Sequence, residues 1–293
     1  MRKLVILSIA VFLGAGSAVA QENPEVLQFM RTERSPRNMA LAGAGAASVQ
    51  SVAYSAFRAA ALIPFSGNTL DAGFAFQRWQ PGSQINKTGN LQLGAAGKIG
   101  SLGLSLGAAW QTGTPYEDFT PSQLLVALGA AYGIGEVVSF GLNARYAKDA
   151  IAQGYSLNGF SADVTVAARL APGLTAVAGA AMLGPKVRDY SQPSHALLAL
   201  AWHCDLAQAH ALELMADAEY YLSGSLAGSA GLEYGYKQMV FVRGGYRLGN
   251  GALPSHGAVG LGLQFSGFCL DASYIFGSET LGGGFSVGLG YKF

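Results

Sequence analysis

Glu213, Asp217 and Glu219 stand at odd positions of one segment, Glu233 on the next, and Arg243 and Arg247 on the one after. Carboxylates and guanidiniums so spaced can trade protons, hold a cation or neutralise one another. Acid–base work needs a carboxylate pair whose surroundings push the two pKa values apart, and no such pair stands out. Both signs lie close together, which favours a neutralised luminal network over a selectivity row in a pore. The four histidines, His195, His203, His210 and His256, lack metal-ligand spacing, and His203 beside Asp205 reads as a hydrogen bond at a rim. By strand parity Cys204 and Cys269 face opposite sides of a wall on segments that are not neighbours, so no disulfide is expected. Gly43-Ala44-Gly45 with Ser48 lacks the third glycine of a dinucleotide loop and follows no strand, and no G-x-S-x-G elbow occurs. These residues predict no catalytic, cofactor-binding or metal site, and no enzyme.

The charged residues sit on elements with a period of two. Leu212, Leu214, Ala216, Ala218 and Tyr220 alternate with the carboxylates, and Phe285, Val287, Leu289, Tyr291 and Phe293 alternate with Ser286, Gly288, Gly290 and Lys292. A helix would scatter these carboxylates around its circumference, whereas a strand puts them on one face. The pattern continues through about fourteen segments in residues 67–293. Most joints alternate between tight turns and longer stretches, the latter at residues 79–88, 112–121, 149–155, 184–194 and 249–255, with Ser223-Gly224 as a tight exception. Charged residues make up 12% and hydrophobic residues 51%, a balance foreign to a soluble domain, and the net charge of +1 excludes a nucleic-acid partner.

Met1-Arg2-Lys3, the apolar run Leu4–Gly16 and Ala18-Val19-Ala20 read as a signal peptide over residues 1–20. Beyond it no apolar run reaches the roughly 20 residues of a spanning helix. An exported, apolar chain without such a helix crosses lipid as a closed sheet, because backbone amides in oil must pair between strands. The expected fold is therefore an all-β transmembrane antiparallel barrel of about fourteen strands, placed in the outer membrane with its lipid as partner. Large apolar side chains would face lipid, and Gln77, Lys98, Arg145, Asp163, Arg169 and the charged set above would face inward. Gly94, Gly103, Gly107 and Gly260 on that inner face leave room, and the apolar segment 21–66 is expected to fill it as a hatch or plug.

Ser35-Pro36-Arg37-Asn38-Met39-Ala40-Leu41-Ala42-Gly43-Ala44-Gly45 resembles the N-terminal motif of the PorV/PorQ family, with Arg37, Asn38, Met39 and Gly43 as its marked residues. That family is similar to the FadL-type fatty-acid transporters, which have fourteen strands and an N-terminal segment lodged in the lumen. The place matching the family's Asn-Pro-Ala box reads Phe57-Arg58-Ala59-Ala60-Ala61-Leu62. The resemblance implies a non-enzymatic envelope component of type IX secretion or cargo attachment, with secretion components as partners. The alternative it implies is a FadL-like transporter of hydrophobic small molecules. Tyr291 and Phe293 resemble the aromatic-ended signal read by the barrel-insertion machinery.

Overall fold

A strand with one apolar and one polar face must bury one of them, and here the polar face is the hidden one. In the segment 210–221, Leu214 and Tyr220 are exposed while Glu213, Asp217 and Glu219 are buried, and large apolar groups are exposed in the same way around the sheet. The computed structural model describes residues 25–80, 87–250, 253–277 and 282–293. The expected signal peptide lies outside them.

Among the described residues fourteen strands form one closed antiparallel barrel. They are β1 (Leu70–Trp79), β2 (Thr88–Ile99), β3 (Leu102–Thr112), β4 (Ser122–Ile134), β5 (Val138–Ala152), β6 (Tyr155–Ala171) and β7 (Leu174–Leu183). The second half comprises β8 (His195–Ala207), β9 (His210–Tyr221), β10 (Leu226–Tyr236), β11 (Val240–Leu248), β12 (His256–Phe265), β13 (Phe268–Phe276) and β14 (Gly284–Lys292). Each strand pairs with its sequence neighbour, and β14 closes on β1 from Asp71 opposite Lys292 to Trp79 opposite Gly284. Closure leaves no free edge for the backbone to expose.

One rim carries the tight turns and the other the longer loops. The expected loop at 149–155 is instead a two-residue turn, because β5 runs to Ala152 and β6 starts at Tyr155. A register shift between Ala150 and Ala152 and a positive φ at Gly154 let the chain reverse there. The long-loop rim therefore has two tight hairpins, β5–β6 and β9–β10.

Residues 25–66 lie inside the barrel. Val26 N–H donates to Ser191 O at 3.0 Å on the long-loop side, and Lys98 Nζ meets Ser66 O at the other end. Between them are one short helix, α1 (Pro36–Ala40), and three 3-10 turns at Gln28–Arg31, Ser55–Phe57 and Ala60–Phe65. Ser35 caps α1 and Pro36 occupies its first turn, where a missing N–H costs nothing. The helix ends in a Schellman pair, Gly43 N–H to Asn38 O and Ala42 N–H to Met39 O, with Ala42 left-handed at φ 53°. Glycines of the wall admit this segment. A Cβ on Gly103 would stand 2.7 Å from Ile63 Cβ, and one on Gly107 would stand 2.5 Å from Phe57 Cζ.

Candidate functional site

Strand parity brings the wall charges into the lumen, and the hatch completes their pairing. Glu233 and Arg243 are register partners on β10 and β11 and meet at 2.5 Å, and Arg243 also reaches Asp271 on β13 at 2.5 Å. Arg37 of α1 donates to Glu213 at 2.8 Å and to Glu233 at 2.9 Å. Burial works to lower the Arg37 pKa, but Glu233 and Glu213 outweigh it and hold the group above its ordinary value. The expected cross-strand ladder is altered at two places. Arg247 pairs with Glu219 at 2.6 Å, while Asp217 is taken by Arg58 at 2.6 Å and by the backbone N–H of Ala46 at 3.0 Å. The wall alone has more carboxylates than cations here, and Arg37 and Arg58 of the hatch pair with the surplus.

The other motif residues serve the turn that presents Arg37. The Asn38 carbonyl accepts the Schellman bond, Met39 Sδ accepts from Gln77 Nε2 at 3.1 Å, and the Gly43 carbonyl accepts from Arg58. Tyr291 packs between the rings of Phe268 and Phe293 at the short-turn rim, where Phe293 N–H donates to Leu70 O at 2.8 Å. Both cysteines are free. Arg31, Arg34 and Arg58 are luminal residues that strand parity does not find, since they lie before the first strand. The signal for them was an acidic excess on Glu213, Asp217, Glu219 and Glu233 against Arg243 and Arg247, beside an apolar segment carrying arginines.

Three cavities follow the hatch through the lumen. The outer one, about 320 Å³, has an apolar side of Phe29, Met39, Trp79, Leu253 and Ile275 and a charged side of Arg31, Arg58, Glu219 and Arg247. A middle cavity of about 80 Å³ shares Arg31, Arg58 and Glu219 with it and adds Arg34, Arg145 and His195. An inner cavity of about 60 Å³ near the short-turn rim is bounded by Tyr54, Asp71, Cys269 and Lys292. The middle cavity abuts a bulge in β7, where Ala181 and Met182 are both buried and Met182 has φ 55°. Asp163 pins the bulge, accepting from Met182 N–H at 2.7 Å and from Arg145 at 2.6 Å.

Comparison with solved structures places this architecture. The toluene transporter TbuX of Ralstonia pickettii superposes with a TM-score of 0.63 at 10% identity, over 88% of this chain and 98% of that one. The Pseudomonas putida toluene transporter TodX gives 0.59 at 12% identity, over 88% and 97%. A FadL homologue of Pseudomonas aeruginosa gives 0.52 at 11% identity, over 88% and 98%. The fold is the fourteen-strand barrel of FadL-like outer-membrane proteins. No family model matches the chain, and no curated protein does.

Proposed function

We propose that this protein sits in the outer membrane and passes small hydrophobic molecules across it, without catalysing a reaction on them. The observation that carries the reading is the outer cavity, whose volume of about 320 Å³ lies at the small end of ligand pockets and whose one side is apolar. The fold shared with proteins described as toluene transporters supports it, and the secretion reading drawn from the PorV/PorQ resemblance has no comparable support. Two features fit passage rather than storage. The hatch is held by side-chain contacts and an isolated backbone bridge at Glu25–Val26 rather than by a continuous strand ladder, and smaller cavities continue beyond the outer one.

The test is uptake of labelled toluene by vesicles containing the purified protein. Uptake should exceed that of empty vesicles, and Ile275→Trp, which fills the apolar side of the outer cavity, should reduce it several-fold while the barrel still folds. Equal uptake with and without the protein removes the proposal.

A further inference from the structure

The arginines of the luminal network have carboxylate partners, whereas three cations outside the barrel have none. Lys148 is exposed on the outer face of β5, and Lys186 and Arg188 are exposed in the loop between β7 and β8. Among the described residues no carboxylate lies within ion-pair distance of them, the neighbouring Asp149 and Asp189 included. The outward side chains of β5 are apolar from Phe140 to Tyr146, and those of β6 are apolar from Leu170 to Phe160. Lys148 and Asn158 come next and are register partners, so the apolar band stops at one level on both strands. Tyr146 marks that level, its ring 5.0 Å from Phe160 and its hydroxyl 3.0 Å from Asn158 Oδ1, as tyrosines do at membrane interfaces. From Val138 to Lys148 a tilted strand rises about 25 Å, the height of a barrel's lipid-facing band, which puts Lys148 among the headgroups. Beyond this level β6 has no β7 partner, since that ladder begins at Ala162 opposite Leu183, and the loop at 184–194 lies along the open edge. Gln192 Nε2 donates to Phe160 O at 3.0 Å, and Val187 and Tyr190 exchange backbone bonds of 2.9 and 3.1 Å around a turn with Arg188 and Asp189 both left-handed. The turn lays Arg188 4.6 Å over the Tyr155 ring, three residues past Asn158 and so roughly 10 Å further along the strand.

We propose that this outer face of β5, β6 and the 184–194 loop binds a membrane lipid whose headgroup carries two phosphates on a sugar spacer. Lys148 meets the phosphate nearest the acyl chains, and Arg188 with Lys186 meets the one further out. The chains lie against Leu142, Tyr146 and Phe160 below. Ammonium and guanidinium groups are the natural phosphate partners, and clustered at a membrane surface they select anionic headgroups. One phosphate does not span the roughly 10 Å between the two levels of charge, and a glycerol bridge between two phosphates is shorter than that separation. The inference needs the membrane but not transport, because none of these residues borders the three cavities.

Native mass spectrometry of the full-length protein in a neutral detergent, with lipid A as the two-phosphate probe, tests the site. Lipid A should stay bound at least fivefold more than its dephosphorylated form, and at least fivefold more than phosphatidylglycerol at equal concentration. Combining Lys148→Gln, Lys186→Gln and Arg188→Gln should cut that retention at least fivefold. Combining Arg78→Gln, Lys87→Gln and Lys237→Gln removes the same charge elsewhere on the rims and should leave it unchanged. Equal retention of dephosphorylated lipid A, or an equal loss in both triple variants, overturns the site. Retention of phosphatidylglycerol to the same extent as lipid A overturns the two-phosphate headgroup. Displacement of lipid A by millimolar inorganic phosphate overturns the lipid in favour of a free ion. Should the first variant not fold, the lipid comparisons on the wild-type protein decide alone.

Discussion

Arg37 joins the hatch to the wall, and among the described residues it is the cation that meets Glu213. Replacing it with Met leaves a buried carboxylate unpaired, and breaking a buried pair from one side costs about 3–5 kcal/mol. Urea unfolding in detergent should show that loss for Arg37→Met, with partial recovery when Glu213→Gln is added. Glu136→Ala is the control. Its partner Arg169 is 3.9 Å away and Glu136 is itself 93% exposed, so its loss should cost under about 1 kcal/mol. If both variants unfold alike, the luminal network contributes nothing specific. The wall half of this network was legible in the sequence because parity alone assigns a face to every residue of a strand. The hatch half was not, since no period governs residues 25–66. The imbalance of charge on β9–β11 was the one trace of Arg58 and gave a sign without an address, whereas the motif marked Arg37 without placing it against Glu213.

At the level of elements, the hatch has the shape the wall allows. Its 3-10 turns, its five-residue helix and a left-handed alanine have little propensity to form alone, and they persist because Gly103, Gly107 and similar positions bring the wall backbone close. Gly107→Val should push Phe57 out of place, with an overpacking cost of about 1–3 kcal/mol. Trypsin should then cut at hatch arginines that the folded barrel protects, and the cut should be absent in the wild type at the same dose. Equal protection in both proteins would mean the hatch does not depend on this contact. Strand limits were readable because a half-polar sheet fixes its register, a one-residue slip turning every side chain to the wrong face. The β5–β6 hairpin escaped because Lys148 to Ala152 loses alternation just before a bulge, so the polar residues there read as loop rather than strand.

The whole molecule rests on an inversion of the usual burial rule, with charges packed within and Leu, Phe and Tyr turned outward, and this inversion has a consequence that depends on depth. Leu128 lies midway along β4 and Ile134 at its short-turn end, and both are 58% exposed, so accessibility does not distinguish them. In a bilayer they differ, because an arginine at the midplane of a barrel costs about 2–4 kcal/mol and one near the interface about 0–1 kcal/mol. Folding of Leu128→Arg and Ile134→Arg into lipid vesicles, followed by urea titration, should therefore separate the two by roughly 2 kcal/mol, the difference between those ranges. In an aqueous barrel the same substitutions would exchange one exposed side chain for another and cost little at either place. Equal, small effects at both positions would thus place the outer face in water and take the membrane, and with it the transport reading, out of the account.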